Sequence, residues 1–279
     1  MEEIEYIITK TNIITLGEKI KTFFENYGNY VVIRNYENLK DEEIIDLYET
    51  LNKNIGQMIP IDLNENTYCP TMQYWANVKY NFTSDEKQFW RSSNHQNLHT
   101  DNTFATKVFY STLTELVCLK TAEYSGTTTI ISNEKLIELI KFVDKNKNTN
   151  LFDKIYNKYI NFSIDNTCQI SKPILTYNPE KKKYIFNFNY YPAIRAINNK
   201  ENNELIDTLQ LFLEEKIIHS NLLDDVKLNR GDAIIFNDEL VLHGRRSFIG
   251  TRHYIKTGIH MSEISLINND KFFIEDKNS

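Results

Sequence analysis

Apolar side chains recur at helical spacing twice in the first part of the chain. Leu16, Ile20, Phe23 and Phe24 form one stripe over residues 16–25, and Ile44, Ile45, Tyr48 and Leu51 form another. The second stripe follows Asp41, Glu42 and Glu43, whose negative charge suits a helix N-terminus. Between the two, the β-branched and aromatic run 30–33 after Gly28 predicts a strand. From 68 to 132 the texture changes to aromatic and β-branched runs broken by polar residues, including 108–110 and 116–119, and strands are expected throughout.

Ser132 or Asn133 is placed to cap a helix that turns Leu136, Ile140 and Val143 inward, with the Lys/Asn run 145–150 ending it. A further strand-rich stretch covers 172–191, with Pro179-Glu180 as its turn. The clearest helical pattern spans 203–218, where Leu205, Leu209, Phe212, Leu213 and Ile217 repeat with the α-helical period. A Gly231-Asp232 turn, an apolar strand over 233–236 and a last strand over 252–260 follow. No internal repeat or low-complexity block interrupts this order.

Strands therefore dominate the middle and the end, with helices flanking them rather than alternating as βαβ units. A mainly β fold follows, a double-sheet barrel with helical cover. Pattern alone does not separate a jelly roll from a sandwich. One domain over 1–279 is expected, with 1–14 and 265–279 as peripheral ends, because barrels and sandwiches reach this length around one core.

Composition narrows the partners. With 41% hydrophobic and 25% charged residues, and only 8 Gly and 5 Pro, the chain is neither linker-rich nor fibrous. A net charge of -6 gives no basic field to gather nucleic acid or an anionic membrane. The short positive run 181–183 is expected to be a solvated hairpin tip. Residues 1–10 lack the basic and apolar regions of a signal peptide, so a cytoplasmic protein is expected. Cys69, Cys118 and Cys168 match neither a disulfide framework nor a thiolate metal site and are expected to be buried thiols.

The candidate chemistry begins at Leu98-His99-Thr100-Asp101. Residues at i and i+2 of an extended chain project to one side, so His99 and Asp101 are able to reach one ion. Two histidines and a carboxylate on one face of iron(II) leave positions open for an oxidant and a chelating co-substrate. His243 offers itself as the third ligand. It follows the apolar strand, and Gly244 beside it permits close backbone approach. Arg252 carries the planar fork that matches a buried carboxylate, and the Thr128 hydroxyl is able to add a donor.

Taken together, these residues resemble the taurine dioxygenase and clavaminate synthase-like family of iron(II)/2-oxoglutarate oxygenases. His99-Thr100-Asp101-Asn102-Thr103-Phe104 resembles the family's first metal motif, and Gly231-Asp232 through Asn237, followed by His243-Gly244-Arg245, resembles its second. Arg252-His253-Tyr254 resembles the arginine segment that grips 2-oxoglutarate. Ser125-Gly126-Thr127-Thr128 falls where the family has a Gly-Gly-acid-Thr turn. Ser125 and Thr127 depart from that pattern, so Thr127 and Thr129 stand as alternatives to Thr128. Gly28 through Arg34 is similar to the family's first strand, and the resemblance covers roughly 15–262.

The resemblance implies a distorted double-stranded β-helix, a jelly-roll relative. It also implies Fe(II), 2-oxoglutarate and O2 as cofactor and co-substrates, and a small polar substrate that is oxidised, most often hydroxylated, as 2-oxoglutarate is decarboxylated to succinate. A free or derivatised amino acid is the expected substrate, with His95, Asn97 and Arg195 as candidate substrate residues. Two other outcomes stay open: a desaturase or cyclase of natural-product biosynthesis, and a jelly-roll binding protein without catalysis. A zinc hydrolase with the same ligands would give Arg252 and Thr128 no role. Asp101 argues against a halogenase, in which a small residue replaces the carboxylate. The oligomeric state is not legible.

Overall fold

The computed structural model describes residues 4–62, 71–80, 92–104, 111–163 and 169–261. The expected strand at 108–110, the thiols Cys69 and Cys168, and the end at 265–279 lie outside them.

Among the described residues the larger sheet has seven strands. Its order is Ile4–Ile7, Tyr30–Arg34, Ala233–Asn237, Leu113–Lys120, His253–His260 and Gln57–Ile59, with Ala76–Lys79 also paired to His253–His260. The smaller sheet runs Asp224–Val226, Thr128–Ser132, Val241–Arg245 and Gln96–His99. Strand alternation sorts their side chains into layers. Val31, Ile33, Ala233 and Ile235 turn outward to helices Ile13–Glu25 and Asp41–Ile55, packing on Leu16, Ile20, Phe24, Ile44 and Leu51. Their neighbours Tyr30, Val32, Ile234 and Phe236 turn the other way, onto Ile130, Val226 and Val241 of the smaller sheet.

The smaller sheet's outer face carries Leu98, Ile131 and Leu242. Helices Asn133–Lys147 and Lys200–Phe212 cover it with Leu136, Ile140, Leu205 and Leu209. Helices thus flank two facing sheets, the architecture expected of a distorted double-stranded β-helix. The site must lie on the inner faces, because the outer ones are fully used for packing. No helix among the described residues is long and apolar enough to cross a membrane.

Several local expectations shift. The Ser132 hydroxyl, rather than Asn133, caps its helix by accepting from the Lys135 amide. The long helix starts at Lys200, capped by Asn199, and passes into a π-helix over Leu213–Ile218, which a stripe of α-helical period does not announce. The stretch 172–191 divides into strands Leu175–Asn178 and Lys183–Phe186 and then the short helix Tyr190–Arg195. The lysine run 181–183 sits at the hairpin turn, as expected. Only Lys182 is fully exposed, however, because Lys181 pairs with Glu239 and Lys183 with Glu134. Residues 4–7, expected to be peripheral, form a parallel edge strand on Tyr30–Arg34.

One polar pair lies on the helix side of the larger sheet. The Asn52 amide donates to Glu115 Oε2 at 2.6 Å, while Glu115 Oε1 and Asn52 Oδ1 are buried and lack a partner. Burial pushes the Glu115 carboxyl up to about 8. In its neutral form the acid carries an O–H donor, in a pair whose Asn52 carbonyl oxygen has none. Because the folded pKa lies above the ordinary value of 4.5, this pair stabilises the fold fully at low pH, and the contribution is lost as pH rises through about 8. Glu115→Gln keeps a neutral donor in place. Its melting temperature, followed from pH 5 to 9, should fall less with rising pH than that of the wild type; parallel curves would contradict the assignment.

Candidate active site

His99 ends the strand Gln96–His99, and its direct antiparallel partner is His243 in Val241–Arg245. The register shifts just beyond this pair, so that Gly244 faces a bulge in the Gln96–His99 strand. A Cβ at position 244 would come within 2.5 Å of the Gln96 carbonyl oxygen and 3.2 Å of that of Asn97, so glycine is what lets the strands close here. Val241 and His243 lie on one side of their strand, facing the space between the sheets. Asp101 opens the short 3-10 turn Asp101–Phe104 that follows the strand.

The three side chains converge. Ligand atoms from His99, Asp101 and His243 all lie within 4.8 Å of one another. His99 Nε2 is 3.7 Å from Asp101 Oδ1, His243 Nε2 is 3.5 Å from Asp101 Oδ2, and the two rings are 4.2 Å apart. The Asn97 carbonyl oxygen lies 2.7 Å from His99 Nδ1. Donation from an Nδ1–H there fixes the tautomer and leaves Nε2 as an acceptor facing the cluster, with the Gln96 side-chain amide 3.3 Å away.

Burial lowers the pKa of both histidines, and for His243 the neighbouring His99 adds to the effect. Burial works to raise Asp101, but Lys256, His243 and His99 together outweigh it and hold the carboxyl well below its ordinary range. Two neutral imidazoles and an ionised carboxylate are the donor set that iron(II) takes with open positions remaining. The residues fit that ion.

Around the triad stand groups that sequence reasoning missed. Lys256 Nζ is 2.7 Å from Asp101 Oδ1. Alternation along the last strand from Arg252 through Tyr254 to Lys256 would have been the signal. Asp238, fully buried in the turn before Val241–Arg245, accepts hydrogen bonds from the backbone amides of Asp101 and Asn102, both at 2.8 Å. No sequence pattern marked it.

Arg252 is 5% exposed, its guanidinium stacks 3.5 Å above the Tyr254 ring, and its Nε lacks a hydrogen-bond partner. Among the described residues no carboxylate pairs with it. Thr128 is also buried on the inner face, and its hydroxyl is unsatisfied. Of the alternatives, Thr127 donates to Asp225 at the surface, and Thr129 lies on the opposite side of its strand. Arg245 is buried against the other aromatic flank, 5.0 Å from Phe248, and donates to the carbonyl oxygens of Ser92 and Asn94. Burial, followed by the charge of Arg252, pulls Arg245 down to about 9. Among the described residues the space near Arg252 is thus electropositive and short of an acceptor, as a buried dicarboxylate would require.

The candidate substrate residues differ in their surroundings. His95 is half-exposed and paired at 3.0 Å with Glu214 of the π-helix, a contact that raises its pKa. Asn97 contributes the carbonyl oxygen beside His99, so its backbone supports the site directly. Arg195 closes the helix Tyr190–Arg195 and is partly exposed.

The fold has many solved counterparts. Asparagine oxygenase, solved with Fe(II), 3-hydroxyasparagine and succinate, superposes with TM-score 0.67 at 12% identity, covering 93% of this chain and 94% of its own. The non-heme iron oxygenase OrfP, solved with Fe and alpha-ketoglutaric acid, gives 0.61 at 12% identity, covering 94% and 95%. PvcB from Pseudomonas aeruginosa gives 0.59 at 16% identity, covering 88% and 81%. No curated protein sequence matches. The family model described as taurine catabolism dioxygenase TauD, TfdA family matches residues 14–257. The chain therefore belongs to the TauD/TfdA family and is a dioxygenase of the iron(II)- and 2-oxoglutarate-dependent class whose motifs its sequence carries.

Proposed function

We propose that this dioxygenase hydroxylates a small, amino-acid-like substrate bearing a carboxylate. Iron is held by His99, Asp101 and His243, and the distal carboxylate of 2-oxoglutarate by Arg252 and Thr128. The observation that carries the reading is the convergence of the three ligand atoms between the sheets, in a core that also buries a guanidinium without a described carboxylate partner. When bound, the iron supplies activation of O2 coupled to decarboxylation of 2-oxoglutarate. The protein's own residues orient both substrates and keep water from the reacting centre.

The substrate class rests on Lys256 and on the relatives. The Lys256 ammonium reaches between the sheets beside Asp101, so once a metal takes up the Asp101 charge this cation is available to a substrate anion. Asparagine oxygenase was solved with hydroxyasparagine, and an OrfP variant with (3S)-hydroxy-L-Arg; both ligands are amino acids with a free carboxylate. Hydroxylation is the outcome those two structures illustrate.

Three measurements test these assignments. Asp101→Ala should abolish both iron binding and iron-dependent succinate formation while circular dichroism stays native; retained succinate formation would refute the ligand set. Arg252→Ala should weaken 2-oxoglutarate binding by well over a hundredfold, since truncating one partner of a buried charge pair costs about 3–5 kcal/mol. Arg246→Ala is its control, because Arg246 pairs with Asp225 at the surface, whereas Arg245 is too close to Arg252 to serve. Lys256→Met should raise the KM for a carboxylate-bearing amino acid by roughly 10- to 100-fold, as expected for the loss of one charge-assisted hydrogen bond. Substrate-free succinate formation should persist in this variant. An unchanged KM would remove Lys256 from substrate binding.

A further inference from the structure

We propose that Asp238 is the positioning residue that locks the two halves of the metal site together, one carboxylate serving both the Asp101 turn and the His243 imidazole. The inference rests on the reading that His99, Asp101 and His243 hold the metal.

Asp238 occupies the turn between Ala233–Asn237 and Val241–Arg245, the segment that delivers His243. Its side chain is fully buried, and its two oxygens divide the work. Oδ1 accepts from the Asp101 amide and Oδ2 from the Asn102 amide, each at 2.8 Å. These bonds satisfy the leading N–H groups of the 3-10 turn that presents the Asp101 carboxylate. The same Oδ1 lies 3.8 Å from His243 Nδ1, a buried nitrogen with no hydrogen-bond partner.

A histidine that ligates through Nε2 carries its proton on Nδ1 and needs an acceptor there. Asp238 is the carboxylate closest to that nitrogen among the described ion-pair contacts. With His243 in that tautomer, three N–H donors converge on two carboxylate oxygens. An ordered turn and an oriented imidazole thus depend on one side chain, although they belong to segments more than a hundred residues apart in sequence.

Isosteric replacement makes this testable. An asparagine offers one oxygen and one NH2 group to the same three donors, so at least one donor must face another N–H. Mn(II) binding to the full-length, metal-free chain is measured by calorimetry for the wild type, Asp238→Asn, Asp238→Ala and the surface control Asp225→Asn. Melting temperatures are recorded with and without metal. Asp238→Asn should bind Mn(II) about 10- to 100-fold more weakly and lose most of the metal-induced rise in melting temperature, while Asp225→Asn binds as the wild type does. A merely structural role would lower the metal-free melting temperature and leave the affinity unchanged. That result in Asp238→Asn overturns the proposal, including the case in which Asp238→Ala fails to fold. Failure of the wild type itself to bind Mn(II) would instead refute the metal reading of the triad, and the clamp with it.

Discussion

The site depends on one strand pairing, that of His99 with His243 across the edge of the smaller sheet. Side chains alternate with period two, so a slip of one residue in either strand would turn its histidine away from the inter-sheet space and break the pair. Leu98 and Leu242 oppose such a slip because both already fill the outer face, against the helices. The missing side chain at Gly244 and the bulge opposite it let the strands approach without shifting that register. Packing on one side of the sheet thereby fixes the chemistry on the other.

The inter-sheet space is divided along its length. Tyr30, Val32, Ile130, Ile234, Phe236 and Val241 make it a hydrophobic core, yet the same inner faces carry His243, Thr128 and Lys256. Placing ionised groups in such surroundings is costly unless they are paired. The Asp101 charge is balanced by Lys256, whereas the aromatic rings of Tyr254 and Phe248 flank Arg252 and no described carboxylate does. Among the described residues, the region nearest the triad is thus electrically balanced, and the region of Arg252 carries surplus positive charge. A chelating dicarboxylate would span that asymmetry, with one end at the metal and the other at the guanidinium.

Much of this was legible in the sequence because it depends on local rules. Period-two and period-3.6 patterns located most of the strands and both early helices, and the residue types of His99, Asp101 and His243 pointed to the cluster that the fold brings together. What stayed hidden depends on contacts between distant segments. Asp238 looks like an ordinary turn aspartate until the fold sets it against the amides of Asp101 and Asn102. Arg245 and Arg246 are adjacent and chemically identical, yet one is buried near Arg252 and the other ion-paired at the surface. Strand alternation turns these neighbours to opposite sides, but only the fold shows that the Arg245 side is the one near Arg252. The π-helix over Leu213–Ile218 was likewise invisible, since its apolar residues continue the α-helical stripe.

The last strand and the residue just before it place two cations, Lys256 and Arg252, on the inter-sheet side. Tyr254 and Lys256 share one side of it, with Arg252 just before its start stacked on Tyr254, while Ile255 and Ile259 pack on the helices behind. Tyr254 stands between the two cations, stacked under the Arg252 guanidinium, and its neighbour Cys118 is a buried thiol whose pKa burial pushes up to about 12. A neutral, rigid ring between two like charges separates them without introducing an acid that would compete for either. Arg252 thereby stays stacked on the ring without a described carboxylate partner, and Lys256 remains beside Asp101. Residues four apart on one face of an extended chain lie ~13 Å apart, which sets the scale of this spacing. Under the roles proposed for Arg252 and Lys256, the pleat of one strand would set how far apart 2-oxoglutarate and substrate are anchored.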